Sequence, residues 1–494
     1  MLCQVVVRLA GAVLVCGLAV GGPGETTAKG AEFLVGGATQ SITPDRPVAL
    51  QGQMRTRIST HVESPCIATA LALESRDGEK VLDQAVFVSC DLVSIAAGVL
   101  DSVREQVRQQ ATDLDVSKIV LSATHTHTAP VATEGLYEIP QQDVMQPAEY
   151  REFLIDQLTQ AILRAWEARR PGKAGWGLGH AVVAHNRRAV YADGTAQMYG
   201  KTDRNEFRGL EAGEDHGIEV LFFWDADDKL IATALQVACP SQEVEGRSAI
   251  NADFWHQVRE KLKERHGEDL LVVGWTGAAG DQSPHLMWRK AAEERMRRLR
   301  GLKPLEEIAR RVVAGWEEAY EGAKQDIRSD VPLIHKVQHI ELPARLVTAE
   351  EAAEARAQVK LLSEDPANFR RMQWQQRAVD RFEQQLSGEV EPYSMELHAL
   401  RLGDVAIATN DFELFTEYGI RIKARSRALQ TFVVQLSGPG TYLPTARAVR
   451  GGGYSAIVQS SRVGPEGGQA LVDQTVSLLD SIWDQTQNTQ SAGN

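Results

Sequence analysis

Cysteine is scarce in this 494-residue sequence, which contains five. Two of these lie within the first 16 residues, so a chain that has lost its N-terminus keeps three, at Cys66, Cys90 and Cys239. Three thiols form at most one disulfide and leave at least one thiol unpaired. The sequence therefore excludes a small fold that is held together mainly by disulfides.

Positive charge is also in deficit, because 53 Lys and Arg residues face 66 Asp and Glu residues, for a formal net charge of -13. Proteins that bind nucleic acids or anionic membranes usually concentrate positive charge. The composition therefore argues against a polyanion as the partner. It does not determine the oligomeric state.

Long apolar runs are missing after the N-terminus, so no transmembrane segment is predicted. The apolar run from residue 9 to residue 20 follows Arg8 and precedes small and polar residues up to Ala31. It is shorter than the roughly 18 residues that a membrane span needs. We interpret residues 1–31 as a signal peptide for export to the periplasm or the outside, and the alternative is a buried N-terminal helix.

Apolar β-like runs alternate with amphipathic stretches, which predicts a mixed α/β fold. The predicted strands lie at residues 85–90, 118–123, 231–238, 270–275, 396–402, 405–409 and 432–436. Apolar residues three and four positions apart predict helices over residues 149–168 and 254–265. No internal repeat divides the chain, so we expect one strand-rich domain over residues 32–484.

Residues 286–390 have a different, helix-like texture. Ile308, Val312, Trp316 and Tyr320 mark one amphipathic helix, and Thr348 begins a second one with a capping box. We predict a helical insertion or lid here. The basic run that precedes Ile308 is either a substrate-facing patch or a solvated helix face. The polar residues 485–494 predict a disordered tail.

Five polar segments begin where a predicted strand ends, which is where open α/β sheets place ligand sites. They are Thr124–Thr128, Cys239–Ser241, Gly280–Pro284, Asn410–Glu413 and Gly440–Tyr442. His125 and His127 are two residues apart, so on an extended segment both project to the same face. Either they share a metal ion or they are hydrogen-bonded histidines at a strand end.

Two further residues are ambiguous when taken alone. Ser283 lies in a glycine-rich turn whose free N–H groups suit an oxyanion or a phosphate, but such turns are common. Glu413 is either a metal ligand or an acidic residue near a helix N-terminus.

Together these motifs resemble the catalytic domain of the neutral ceramidases. SATHTHTAP (122–130), AHNRR (184–188), GAAGDQSP (277–284), NDFELFTEYG (410–419) and TYLPT (441–445) occur in the order of that family's motifs. The resemblance implies one zinc ion, with His125, Glu413 and Tyr442 as ligands. It also implies Ser283 as the nucleophile, His127 as a catalytic base and Arg187 as a substrate contact. The resemblance also assigns a role in substrate binding to Asn186, Asp281 and Tyr454.

The sequence departs from the family at the second zinc histidine, where Cys239 stands instead. A thiolate can bind zinc, so the resemblance makes Cys239 the fourth expected ligand, and a buried free thiol is the alternative. Asp253 and His256 are nearby candidates for the same role. The chain also ends soon after the last motif, so the C-terminal immunoglobulin-like domain of the longer ceramidases is expected to be absent.

The resemblance implies a zinc-dependent hydrolase of amide bonds, with N-acyl sphingosine (ceramide) as the first substrate to consider. A small-molecule or lipid substrate is the expected partner. Two alternatives remain open. One is hydrolysis of other amides or esters, such as acylated sugars or wall material. The other is a non-catalytic binding protein with a decayed metal site.

Overall fold

The apolar runs of the sequence form the strands of two main sheets. A computed structural model describes residues 31–491, with side chains described through residue 483. The strands are β1 (Glu32–Ser41), β2 (Ile67–Asp77), β3 (Lys80–Cys90), β4 (Ile119–Ala123), β5 (Arg170–His180), β6 (His185–Asn186), β7 (Arg188–Tyr191), β8 (Ala196–Met198), β9 (Phe207–Leu210), β10 (Gly217–Asp225), β11 (Leu230–Val237), β12 (Leu271–Thr276), β13 (Gln282–Ser283), β14 (Leu333–Leu342), β15 (Tyr393–Leu402), β16 (Val405–Thr409), β17 (Glu413–Leu414), β18 (Gln430–Val434) and β19 (Tyr442–Leu443).

The helices carry apolar faces that cover these sheets. They are α1 (Val99–Arg108), α2 (Pro147–Glu167), α3 (Phe254–His266), α4 (Lys290–Leu299), α5 (Pro304–Ala323), α6 (Ala349–Leu362), α7 (Phe369–Leu386), α8 (Thr416–Arg425), α9 (Ala446–Gly451) and α10 (Pro465–Ser491). Both halves of the predicted capping box are formed at the start of α6, where Thr348 and Glu351 bond each other's backbone N–H groups. The mixed α/β fold class is confirmed, and every strand and helix predicted above is present.

The larger sheet has the strand order β12-β11-β10-β5-β1-β2-β3-β4, and the smaller has the order β14-β15-β16-β18. The two sheets share one apolar core, to which the larger contributes Phe87, Val120 and Trp275 and the smaller Ile407 and Phe432. Helices α1 and α2 bury one outer apolar cluster, α3 and α5 a second, and α8 and α10 a third.

The region 286–390 is not entirely helical. It contains β14, which pairs with β15 over ten residues and forms an edge of the smaller sheet. Helix α5 packs on β5 and β10, whereas α6 and α7 pack on each other. Only the α6–α7 pair therefore has the character of the predicted insertion. The apolar face of α5 belongs to the main core because Val312 and Trp316 are fully buried there.

The two ends of the chain differ in how far the structure describes them. The predicted signal peptide, residues 1–31, lies outside the described residues except for Ala31. The expected disordered tail began at residue 485, but the backbone of α10 is helical through Ser491. Over the described part of the chain, every helix is too short or too polar to cross a membrane.

Candidate active site

Backbone and side-chain hydrogen bonds join the ends of five strands at one place. Ser241, after β11, donates its hydroxyl to the Thr124 carbonyl after β4 at 2.7 Å. Gln435, after β18, donates its N–H to the Thr276 carbonyl at the end of β12 at 3.0 Å. Gly280 donates its N–H to the carbonyl of Leu414, beyond the end of β16, at 2.8 Å. The five polar segments are therefore neighbours in the fold.

Two short strand pairs bring the sequence motifs together. In the first, β17 runs parallel to β19 and places Glu413 beside Tyr442. In the second, β13 is antiparallel to β6 and places Ser283 beside His185. Close approach of these pairs depends on Gly280, since a Cβ atom there would lie 2.2 Å from the Glu413 carbonyl oxygen.

A cavity of about 340 Å³ opens at this place, within the size range of small-molecule sites. Of the predicted site residues, the structure brings five to its wall. They are His125, His127, Glu413, Tyr442 and Tyr454. The first four of these are here called the ligand cluster.

His125 has a strained backbone conformation, and a hydrogen bond orients its imidazole ring. Its backbone has a φ of 65°, in the left-handed region that a residue with a Cβ atom rarely adopts. Its Nδ1 lies 2.7 Å from the Val93 carbonyl oxygen, which can only accept. In the neutral imidazole the proton is therefore on Nδ1, and the Nε2 lone pair is free to face the cavity.

His127 is oriented by a chain of donors. Arg187 donates from Nη1 to the Gln242 side-chain oxygen at 3.0 Å, so the Gln242 amide nitrogen must face the other way. That nitrogen lies 2.8 Å from His127 Nε2, which therefore accepts its hydrogen bond. The proton of neutral His127 is on Nδ1, which lies 3.2 Å from a carboxylate oxygen of Glu245. Burial lowers the pKa of His127, against the opposing effect of Glu245.

Glu413 completes a group of atoms that all carry lone pairs. Its Oε2 lies 3.3 Å from His125 Nε2, and His127 Nε2 lies 3.3 Å from the same His125 atom. Burial opposes the charge on Glu413, but His125, Arg187 and the Tyr442 hydroxyl outweigh burial and lower its pKa. Three atoms that can accept thus converge, and the Gln242 amide already donates to one of them, His127 Nε2. His125 Nε2 and Glu413 Oε2 have no such donor between them, an arrangement that favours a shared cation.

The donor types suit zinc, which takes histidine nitrogen and carboxylate oxygen in tetrahedral sites. Atoms that share a tetrahedral zinc at about 2 Å lie about 3.3 Å from each other, as His125 Nε2 and Glu413 Oε2 do. Tyr442 could add its phenol oxygen, which accepts from Arg187 Nη2 at 3.1 Å. Over residues 31–491, however, no three His, Cys, Asp or Glu side chains form a complete metal site. The side chains of the ligand cluster therefore suit zinc but supply only part of a full ligand set. Catalytic zinc sites in any case leave one coordination position open.

The structure does not bring Cys239 to the ligand cluster. Its Sγ atom is fully buried and lies 3.5 Å from the Val183 carbonyl oxygen and 3.6 Å from the Pro240 carbonyl oxygen. Burial raises the pKa of this thiol well above its ordinary value, which disfavours the thiolate that zinc needs. In this geometry Cys239 is a buried thiol, the alternative raised from the sequence.

Neither of the two substitute candidates contacts the ligand cluster. Asp253 is the N-cap of α3 and accepts from the N–H groups of Phe254 and Val244 at 2.8 and 3.0 Å. His256 lies one turn into that helix and is absent from the cavity wall. The residue that fills the space beside His127 is Gln242 instead.

Ser283 is fully buried and does not line the cavity. Its hydroxyl oxygen accepts from the His285 N–H at 3.0 Å and lies 3.0 Å from the Tyr199 hydroxyl oxygen. Tyr199 lies in turn near Arg187, whose guanidinium carbon is 5.9 Å from the ring centre. Ser283 therefore reaches the ligand cluster indirectly, through Tyr199 and Arg187 on one side and through His285 and Glu245 on the other.

Arg187, Asn186 and Asp281 lie behind the cavity wall. Arg187 donates to Gln242, Tyr442 and the Gly280 carbonyl, the last at 2.9 Å, and its Nε atom is buried without a partner. Asn186 donates to Asp281 Oδ2 at 3.0 Å, and Asp281 Oδ1 accepts from Thr416 at 2.8 Å. All three are buried, so in this geometry they position the site rather than face a substrate.

Several residues of the cavity wall or directly behind it carried no signal in the sequence. Gln242 and Glu245 follow Cys239 in an ordinary polar stretch, and Tyr199 lies outside the recognised motifs. Helix α7 contributes Arg370 and Arg377, and Arg462 comes from the segment before α10. Tyr454 packs edge-on against Tyr442, with ring centres 5.7 Å apart, and against Trp374 of α7 at 5.6 Å. Helix α7 of the α6–α7 pair therefore forms part of the cavity wall.

Comparison with models of known protein families finds no match, and comparison with curated protein sequences finds none either. Among solved structures, the neutral ceramidase from Pseudomonas aeruginosa superposes with a TM-score of 0.64 at 17% identity, covering 92% of this chain and 75% of that chain. A ceramidase complexed with C2 gives a TM-score of 0.62 at 15% identity, covering 92% of this chain and 76% of that one. This chain therefore has the fold of the neutral ceramidases.

Proposed function

We propose that this chain is a hydrolase that cleaves the amide bond of an N-acyl compound at the ligand cluster. The observation that carries the proposal is the convergence of His125 Nε2, His127 Nε2 and Glu413 Oε2 on the wall of one cavity. The shared fold with neutral ceramidases supports amide hydrolysis, together with the resemblance of this chain's motifs to that family's motifs in the same order. Fold alone does not define a substrate.

In this proposal one zinc ion binds His125, Glu413 and Tyr442. A bound zinc ion would polarise the amide carbonyl and lower the pKa of an attacking water. The Val93 carbonyl keeps the His125 proton on Nδ1, and Arg187 keeps Tyr442 in place. These contacts hold the ligands ready before the ion binds.

His127 is the proposed general base. Its Nε2 lone pair faces the cavity and can accept a proton from water, while Glu245 on the other side of the ring would stabilise the resulting imidazolium. Gln242 would have to release Nε2 for this step. Ser283 is buried behind Tyr199, so in this geometry it supports the wall and does not attack the substrate directly.

The experiment is hydrolysis of fluorescent N-acyl sphingosine and of shorter N-acyl amides by the chain from residue 32 onward. Matched samples are stripped with a chelator and then restored with zinc. We expect His125→Ala to lower kcat/KM by about 100-fold or more, because it removes both a ligand and the neighbour of the proposed base. Zinc content, measured in parallel, should fall in the same variant.

His339→Ala is the matched control, since this histidine lies on β14 with 76% of its side chain exposed. Unchanged hydrolysis in His125→Ala would rule out the ligand cluster as the site. Hydrolysis of short amides without cleavage of N-acyl sphingosine would exclude ceramide and leave the wider amide and ester alternative. No hydrolysis together with no zinc binding would favour a non-catalytic binding protein.

A further inference from the structure

Three arginines line the same cavity as the ligand cluster, and they are here called the arginine cluster. They are Arg370 and Arg377 on α7 and Arg462 before α10. Glu413 is the one carboxylate among the described residues of the cavity wall. A chain with a net charge of -13 thus gathers three positive charges on this wall.

The arginines of this cluster are not neutralised by the protein. The ion pairs formed by described side chains include none of the three, of which Arg370 is half-buried and Arg377 and Arg462 are exposed at the rim. Buried arginines elsewhere bind acids directly, as Arg259 binds Asp91 at 2.7 Å and Arg188 binds Glu211 at 2.8 Å. The Nε and Nη1 atoms of Arg370 are shielded from solvent and have no hydrogen-bond partner. The charged neighbours that act on Arg377 are Arg370 and Arg462, which repel it.

Aromatic rings hold two of these guanidinium groups in place. The Arg462 guanidinium carbon lies 5.2 Å from the centre of the Tyr393 ring, and that of Arg370 lies 5.9 Å from the centre of the Tyr137 ring. A guanidinium that contacts a ring through its face keeps its N–H edge available for hydrogen bonds. Both tyrosines also line the cavity.

Like charges that are gathered in one wall destabilise the unliganded protein, and unpaired N–H donors that are shielded from water add to that cost. An anion with several oxygen atoms would reduce the charge repulsion and pair the N–H groups, because each guanidinium can donate two parallel hydrogen bonds to it. The cavity then has two chemically different ends. The ligand cluster offers lone pairs to a metal ion, and the arginine cluster offers N–H groups to an oxyanion.

We propose that the arginine cluster binds an oxyanion group, a carboxylate or a phosphate, on the non-reacting part of the substrate. This inference rests on the proposed function, and it narrows the substrate class to acidic N-acyl compounds. Neutral ceramide lacks such a group and would leave the arginine cluster unpaired.

The test compares ligands that differ only in charge. N-octanoylglycine is paired with its neutral carboxamide, N-octanoylglycinamide, and the phosphate monoester of N-octanoylethanolamine serves as the third ligand. Binding is measured by calorimetry on the His125→Ala variant, and kcat/KM is measured on the unmodified chain. We expect the better of the two acidic ligands to bind about 10- to 100-fold more tightly than the neutral one, as expected for charge-assisted hydrogen bonds. Which acid binds better identifies the oxyanion.

Arg370→Gln and Arg462→Gln should each remove about tenfold of that preference while leaving binding of the neutral ligand within about twofold. Arg462→Lys keeps the charge and should retain part of the preference. The control is Arg371→Gln, which is exposed like Arg377 and lies on the same helix but outside the cavity wall. Circular dichroism checks that each variant is folded.

Equal binding of acidic and neutral ligands, or equal losses for both in the Gln variants, would overturn the proposal. Acid-selective binding without hydrolysis of any ligand would reject the proposed function and keep the arginine cluster as an anion site. Hydrolysis that does not distinguish the acid from its carboxamide would keep the proposed function and reject the arginine cluster as an anion site.

Discussion

Gln242 shows how one side chain can determine the protonation of another. Because Arg187 can only donate, it fixes the Gln242 oxygen, and the Gln242 amide then fixes the His127 tautomer. His125 is fixed independently by the Val93 carbonyl. The His125 Nε2 lone pair consequently lies 3.3 Å from His127 Nε2, whose own lone pair accepts from Gln242. A proton or a metal ion shared by the two rings would therefore require the Gln242 amide to move.

Glu243, next to Gln242, carries a prediction about pH. Burial raises its pKa to about 7, with a further contribution from Asp253. In the unfolded chain the pKa of Glu is about 4.3. Between these values the folded protein keeps a proton that the unfolded chain has released, so the free energy of unfolding decreases as the pH rises through this window.

We therefore expect Glu243→Gln to stabilise the protein by about 1 kcal/mol at pH 5 and by about 3 kcal/mol at pH 8. Urea denaturation at the two pH values measures the difference. Glu294→Gln, on the exposed face of α4, is the control and should change stability little at either pH. An equal effect of Glu243→Gln at both pH values would show that the carboxyl is not protonated in the folded state.

At the scale of elements, the α6–α7 pair is attached to the rest of the fold by few buried side chains. In α6 only Ala352 and Ala355 are buried, and in α7 only Ala378 and Val379. They form a small apolar cluster with Val347 and Val458. By contrast, all five residues of β16 are buried. The element that carries two arginines of the cavity wall is thus less firmly packed than the sheets.

We predict that backbone amides of α6 and α7 exchange with deuterium at least about 100-fold faster than those of β16, because local opening exposes little apolar surface. Hydrogen exchange followed by mass spectrometry of peptides from both regions measures this. Equal protection of the two regions would mean that the helix pair opens only when the whole protein unfolds.

Across the whole molecule, the two main sheets depend on a shared core. Phe87 and Trp275 of the larger sheet pack in the same cluster as Val405 and Phe432 of the smaller. The larger sheet and α5 are complete by residue 323, but the apolar face that they present to this core is covered only by strands that come later.

A chain of residues 31–330 should therefore fail to fold, since it would expose that face to water. Near-ultraviolet circular dichroism, which reports the packing of tryptophans such as Trp275, should show no native signal, whereas the chain of residues 31–494 should. A fragment with native dichroism and a cooperative urea transition would show that the larger sheet is an independent domain.

Much of the fold follows from local sequence patterns. The apolar runs at 119–123 and 405–409 form strands, and Thr348 with Glu351 caps α6, because backbone pairing, burial and capping depend on residues near one another in sequence. The strand β14 was missed because charged and polar residues interrupt its apolar pattern at an exposed sheet edge.

The sequence by itself determined the mixed α/β class, several of the strands and helices, and the motifs from which His125, His127, Glu413 and Tyr442 could be named. Only the tertiary structure decided that Cys239 points away, that Gln242 takes the place beside His127, and that Arg370 shares a cavity with His125. These outcomes depend on side-chain directions and on contacts between segments that are distant in the sequence, 56 residues apart for Cys239 and Val183 and 115 for Gln242 and His127. Such contacts arise from packing of the whole chain, so local sequence patterns do not predict them.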